Sequence, residues 1–379
     1  MCARSSERSI LTVRSVPVFC NVLHATAGAA RSAPAADIVL MQCDFCSAVF
    51  NAVFAPDLAA YAPGYENSLH HSATFRQFSD ELVERLVRER PLSGGTVVEV
   101  GSGGGSFLRD LCERANAHGV GFDPSRAADE TDGAVEIRAE AFPTTGHLPA
   151  DLIVARHVFE HLDEPSRVAS AIATALRSHP GVFYVEVPDG TYLLESTALW
   201  DVIYEHPTHF TAPALVHLLE RAGMNVTRHD TAFGGQYLWA EAVSSDGTAL
   251  GGDVPPAGVE ALCALGQRFA SDVERRLAYW EGQLAGWAGS ERVAVWGAGS
   301  KGVSLLNMLP SASSIELVVD LNPLKHGRFV PVTGHVVVGP EQLVAARPTV
   351  VLVMNPIYRI EVEEMLRALG LSAKVIVPA

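Results

Sequence analysis

Positive charge is scarce: 28 lysines and arginines stand against 43 aspartates and glutamates, a formal net charge of −15 over 379 residues. Binding a phosphate backbone needs clustered Lys and Arg, so a nucleic-acid partner is not expected. Long apolar runs are missing too. No stretch approaches the roughly 18 uninterrupted apolar residues of a membrane span. The opening residues, MCARSSERSILTVRSVPVF, lack an apolar segment followed by a small-residue cleavage site, so no secretory signal is expected. Six cysteines are too few for a disulfide framework in a chain of this length. These absences predict a cytoplasmic protein with neither membrane nor nucleic acid as partner. What the chain does have is apolar residues, 48% against 19% charged, which excludes bulk disorder. The length calls for two or three domains, and a small-molecule substrate is the class left open. Oligomeric state is not legible.

Residues 1–70 carry no sustained helical period and are expected to form a small N-terminal cap. A helical pattern follows from about Ser72 to Arg90, with Phe75, Phe78, Leu82 and Leu86 on one face. Strands and helices then alternate: TVVEVG, GSFLRDLCERA, GVGFD, AVEIRA, DLIVARHV, a helix around Pro165–Ser178, and GVFYVEVP. Short apolar strands separated by helices predict an α/β fold with a parallel sheet covered on both faces. Two further strand-like runs, MNVTRHDTAF and GGQYLWAEAV, are close enough to pair antiparallel. SSDGTALGGDVPP reads as a linker. A long helical pattern from Val259 to Trp287 leads into a second β-then-α series. The expected division is 1–70 cap, 71–245 central domain, 246–288 linker and connecting helix, and 289–379 C-terminal domain.

The first strand ends in a glycine-rich turn, Glu99-Val100-Gly101-Ser102-Gly103-Gly104-Gly105, just before a helix. Glycines there admit positive φ and close approach of a ligand, and the helix N-terminus favours negative groups. A dinucleotide fingerprint wants glycine at the sixth position, where Ser106 stands. The next strand ends in Asp123, about 20 residues past the loop, where a carboxylate can accept both hydroxyls of a ribose. Alone, Asp123 reads equally well as a helix cap; with the loop, the ribose reading prevails.

These features resemble the S-adenosylmethionine (SAM) fold of class I methyltransferases. The resemblance implies that Glu99, Gly101, Ser102 and Gly103 surround the cofactor's amino-acid end and that Asp123 holds its ribose. Glu140 and Ala141 would contact the adenine, and Arg156, His157 and Phe159 would line the cofactor and substrate. Glu160 and His161 read as anchors of the following helix. More closely, VPVFCNVL, IVLMQCDFCSAVFN, YAPGYENSLHHS, VIYEHPTHFT, VAVWGAGSKG, VVDLNPLKHGRFVP and VLVMNPIY are similar to successive blocks of the three-domain C-methyltransferases of sugar-nucleotide and antibiotic biosynthesis. That group has a zinc-type N-terminal cap, a central Rossmann-like methyltransferase domain and a second, C-terminal Rossmann-like domain.

Carbon methylation needs a carbanion equivalent, most easily made by removing a proton next to a ketone. An imidazole near neutral pKa suits that task, a carboxylate can fix its tautomer, and a phenol can bind the developing enolate oxygen. The resemblance makes His206 the base, Glu205 its support and Tyr204 a substrate contact. The group reads Tyr-His-Glu-His here and this chain Ile-Tyr-Glu-His, so Tyr204 falls where the group has His. Tyr61, Tyr65, Asn67, Ser68, His209 and Lys301 are implied substrate contacts, the substrate being a nucleotide-linked keto sugar or a related metabolite. Cys43 and Cys46 have zinc-knuckle spacing, but a structural site needs four ligands; Cys2 and Cys20 are the irregular candidates for the rest, so zinc stays open.

Gly297-Ala-Gly299-Ser-Lys-Gly302, followed by Asp320 at the end of the next strand, is a fuller dinucleotide fingerprint than the first loop. It keeps an NAD-dependent oxidoreductase in play, beside a grip on a substrate phosphate by Lys301, Lys325 and Arg328. O- or N-methylation and a non-catalytic cofactor sensor are the remaining alternatives.

Overall fold

The computed structural model describes residues 9–59, 68–143, 148–245 and 256–378. Its centre is an eight-stranded sheet made of β4 (Thr96–Val100), β5 (His118–Phe122), β6 (Glu130–Asp132), β7 (Val135–Arg138), β8 (Leu152–Arg156), β9 (Val182–Pro188), β11 (Met224–Ala232) and β12 (Tyr237–Ser244). The spatial order is β11-β12-β9-β8-β4-β5-β7-β6. β7, β5, β4, β8 and β9 run parallel, and β12 and β11 close the far edge antiparallel, as their sequence proximity predicts. The order reverses at β4. In open α/β sheets a ligand crevice forms where the order reverses, outside the carboxyl ends of the strands, and that is where the Glu99–Gly105 loop lies.

The cap is more regular than its sequence suggests. β1 (Ser9–Pro17), β2 (Ala35–Gln42) and β3 (Val49–Asn51) form an antiparallel sheet. Its last strand, β10 (Thr208–His209), comes from the segment between β9 and β11 of the central sheet and pairs with β3. Among the described residues the cap shares its core with the rest of the chain: Val18, Ile38 and Leu40 lie in one apolar cluster with Trp200, Phe269 and Val295.

The helix Val259–Trp287 has the bounds its pattern predicts. It leads to β13 (Val293–Trp296), β14 (Leu317–Val319), β15 (Val337–Val338), β16 (Val350–Val353) and β17 (Lys374–Ile376). These pair entirely parallel in the order β15-β14-β13-β16-β17, with the reversal at β13. Among the described residues no helix is long and apolar enough to cross a membrane.

The C-terminal sheet is fastened to the central body through polar contacts. Glu361, on the helix Arg359–Ala368, accepts hydrogen bonds from Ser72 Oγ (2.7 Å), Ala73 N–H (3.0 Å) and Thr74 Oγ1 (2.7 Å) at the start of the helix Ala73–Glu89. A carboxylate at a helix N-terminus is doubly favoured, by free N–H groups and by the dipole. Burial pushes the Glu361 pKa up, but the bonds from Ser72 and Thr74 outweigh it and hold it below the usual range. The folded value is thus the lower one, so this stabilisation exists above the ordinary carboxylate pKa and is lost as pH falls through the lowered value. Glu361→Ala is expected to cost about 1–2 kcal/mol in urea denaturation at neutral pH. The gap to wild type should narrow as pH falls below the ordinary carboxylate range and through the lowered value; a gap that stays constant across that fall would assign the effect to packing instead.

Candidate active site

Both glycine loops open into one cavity of about 1130 Å³, walled by the central sheet, the cap edge and the C-terminal sheet. At the first loop Gly101 has φ +70°, and a Cβ there would sit 2.3 Å from Val158 Cγ2, so no other residue fits. Around Gly103 and Gly104 the space is open for 4 Å, leaving backbone free for a ligand's approach. Asp123, at the end of β5, accepts the Gly103 N–H through Oδ2 at 2.7 Å and the Ser125 N–H through Oδ1 at 2.9 Å. Oδ1 also accepts the Ser125 hydroxyl at 2.5 Å, so Oδ2 keeps a lone pair for one ribose hydroxyl and a second would take the place of the Ser125 hydroxyl on Oδ1.

Glu99 is 5% exposed, and burial pushes its pKa up to about 8, with Arg156 opposing. Its Oε2 and the Ser102 hydroxyl are buried without hydrogen-bond partners. A protonated carboxyl with an unsatisfied oxygen beside an open glycine loop fits a ligand bearing an ammonium group, as the amino-acid end of SAM does. The residues present therefore suit that cofactor: Asp123 for its ribose, the Gly101–Gly103 backbone and Glu99 for its amino-acid end.

Beyond the loop, Arg156 and His157 emerge from β8. Arg156 binds Glu186 at 3.0 Å and lies over the Phe107 ring. His157 has φ +54°, a turn that brings its ring between Glu160 (3.5 Å) and Glu186 (3.3 Å). Burial disfavours its charge, but the two carboxylates outweigh that and raise its pKa to about 9. His206 and His209 face the same space. Burial, then the neighbouring His161 and His209, hold the His206 pKa well below the usual value, so the ring is neutral at pH 7. Burial likewise lowers His209 to about 4.

On the opposite wall the second loop repeats the geometry of the first. Asp320 Oδ2 accepts the Ala298 N–H at 2.8 Å, as Asp123 does from Gly103. A Cβ on Gly302 would lie 1.9 Å from the Gly297 carbonyl oxygen, which makes glycine obligatory there. Lys325 reaches Ala298 O at 3.2 Å, and Lys301 pairs with Asp201 at 2.5 Å. Ser68 lines the rim. Tyr61, Tyr65, Asn67 and Cys2 lie outside the described residues.

Several expectations are corrected. Tyr204 is 1% exposed and away from the cavity; its hydroxyl accepts the Ala55 N–H at 2.8 Å, fixing the cap. Glu205 is also off the cavity wall, because its Oε2 accepts the Cys20 N–H at 2.6 Å. Phe159 is fully buried against Phe183. Glu140 and Ala141 are exposed, and Ser125 to Glu130 line the rim in their place. Cys20 packs in the cap core against Glu205, while Cys43 and Cys46 pack under the central sheet, so among the described residues the cysteines do not converge on a metal. Among the described residues the one group with three converging metal-ligand atoms is Glu160, His161 and His206. Sequence reasoning had set Glu160 and His161 aside as helix anchors; their nearness to a histidine at the other end of the domain leaves no local signal.

A family model described as a methyltransferase domain matches residues 70–229, and one described as a C-methyltransferase C-terminal domain matches residues 267–378. The C-methyltransferase NovU of Streptomyces niveus is 29% identical over 302 residues, covering 74% of this chain and 70% of its own. A ubiquinone biosynthesis O-methyltransferase of Ralstonia nicotianae is 36% identical over 105 residues, 25% of this chain and 44% of its own. The solved magnesium protoporphyrin IX methyltransferase of Synechocystis PCC 6803 aligns over 49% of this chain and 91% of its own, at 18% identity and a TM-score of 0.37. The methyltransferase match on the first glycine loop, the C-methyltransferase match on the second and the similarity to NovU together support a SAM-dependent methyltransferase of the C-methyltransferase kind.

Proposed function

We propose that the enzyme methylates carbon next to a carbonyl in a nucleotide-linked keto sugar or a related natural-product intermediate. The observation that carries this reading is the position of His206, neutral and facing the cavity between the two glycine loops. The cofactor supplies, when bound, a methyl group made electrophilic by sulfur. Asp123 and the Gly101–Gly103 backbone hold that cofactor, and Glu99 meets its ammonium group. His206 removes the acceptor's proton, with His209 beside it. The Gly297–Gly302 loop, with Lys301 and Lys325, takes the nucleotide phosphates of the acceptor; the helix N-terminus that starts at Ser300 favours such groups. The division at 1–70, 71–245, 246–288 and 289–379 belongs to the same reading: cap, methyl donor site, connector and acceptor anchor.

The test is calorimetric titration with S-adenosylhomocysteine and, separately, with NAD. The first is expected to bind. Because Glu99 is protonated at pH 7 and an ammonium partner would lower its pKa, binding should release up to one proton, seen as a heat that varies with buffer ionisation enthalpy. Binding of NAD with no response to S-adenosylhomocysteine would move the reaction to the second loop and favour the oxidoreductase alternative.

A further inference from the structure

Glu160 is 2% exposed, on the single turn Phe159–His161 that follows β8. Its Oε1 faces His157 Nδ1 at 3.5 Å, while its Oε2 is buried with no hydrogen-bond partner. His206 Nδ1 and His209 Nε2 are buried and unpartnered as well. One carboxylate oxygen of Glu160 and one nitrogen each of His161 and His206 lie within 4.8 Å of one another. The rings of His161 and His206 meet edge to face at 4.6 Å. Buried polar atoms in folded proteins are almost always paired, so several orphans around one point call for a common partner.

Building on the assignment of His206 as base, we propose that Glu160 is its positioning residue. The carboxylate accepts the His206 Nδ1–H, by a small side-chain rotation or through one bridging water, and so presents the Nε2 lone pair to the cavity. Two hydrogen bonds of about 2.8 Å each span such a gap, and a buried water wants two to four polar partners, which this cluster provides. Glu205, the sequence neighbour, is oriented instead toward the cap by the Cys20 N–H. The carboxylate of Glu160 is itself oriented by His157.

The step balances without a co-reactant. The acceptor's C–H bond breaks, its electron pair stays on the acceptor as the enolate, and the proton forms a bond to Nε2. The resulting imidazolium carries one proton on each nitrogen, and the Nδ1 proton points at Glu160. A carboxylate there matters because the groups that act on His206 are otherwise cationic or neutral, and the other nearby carboxylate, Asp201, is held by Lys301. Lys301 approaches from the helix Ser300–Met308 with Asp201 as its partner, His157 from β8, His161 from the following turn and His209 from β10. The same positive surroundings disfavour a divalent cation at Glu160, His161 and His206, which their spacing alone would allow.

The test is the tautomer of His206, read from 15N shifts of histidine-labelled full-length protein at neutral pH and assigned by difference from His206→Asn. The wild type is expected to carry its proton on Nδ1, as are Glu205→Gln and Glu160→Gln, whose amide oxygen still accepts. Glu160→Leu is expected to lose the Nδ1–H signal and revert to the Nε2–H form of a free imidazole. An Nε2–H form in the wild type overturns the proposal, and so does a change in Glu205→Gln alone. Mn²⁺ titration gives the rival outcome: one-to-one binding that broadens His161 and His206 in wild type and vanishes in Glu160→Leu would make the cluster a metal site. If Glu160→Leu does not fold, the wild-type tautomer and the Mn²⁺ titration still decide. Binding of S-adenosylhomocysteine is read in the same samples, so failure of the methyltransferase reading shows separately.

Discussion

With Asp123 replaced by alanine, S-adenosylhomocysteine is expected to bind about 10²- to 10⁴-fold more weakly, since two hydrogen bonds to a carboxylate contribute about 1.5–3 kcal/mol each. The carboxylate does double duty. It would accept the two ribose hydroxyls, one of them in place of the Ser125 hydroxyl, while it holds the Gly103 and Ser125 N–H groups. Removing it therefore loosens the loop as well as the ligand. Asp320→Ala is the informative control, because it makes the same change in the second loop. Affinity for S-adenosylhomocysteine should survive that substitution. Equal losses in both variants, or none in Asp123→Ala, would show that the ribose is not held at the end of β5. Calorimetry on the two variants settles the matter without an acceptor.

The second large effect is expected at His206. His206→Asn should lower the rate of methyl transfer by about 10²- to 10⁴-fold, the range of a positioned general base, and leave binding of S-adenosylhomocysteine intact. The pH profile carries a sign. The base works in its neutral form, and burial with cationic neighbours lowers its pKa. The acid limb of the wild-type rate should therefore lie below pH about 6.5, the ordinary histidine value. Tyr204→Phe, by contrast, removes one hydrogen bond to the cap at Ala55 and should cost about 1 kcal/mol of stability with the chemistry kept. A rate loss in Tyr204→Phe as deep as in His206→Asn would return the phenol to the active centre.

The central sheet was readable because its strands are apolar runs between helices and its glycine loop falls between the strand and the helix that a ligand crevice requires. The helix Val259–Trp287 was readable from end to end for a similar reason, a single period sustained over many turns. The cap was not. β1 and β2 pair with register shifts that blur alternation, and β10 is two residues long and distant in sequence. At the active centre, adjacency in sequence misled. Tyr204, Glu205 and His206 are consecutive, yet they lie on a turn closed by the His206 N–H on the Ile203 carbonyl, so the first two face the cap and the third the cavity. Phe159 and Glu160, on the single turn Phe159–His161, also part, one into the core and one to the histidines. Glu140 and Ala141 failed differently: they follow β7 as expected, but Ser125 to Glu130 already occupy the rim.

The pairing of β10 with β3 bears on how far the parts of this enzyme can be exchanged. His209 is placed by two residues of ladder opposite Val49 and Phe50. A one-residue slip in such a ladder turns every side chain to the other face. A chimera that takes its cap from a relative would thus reset the aim of His209 unless the segment around 203–211 travelled with it. Recombination between relatives should succeed only when the cap and that distant segment are inherited as one block, although the chain separates them by most of the methyltransferase domain.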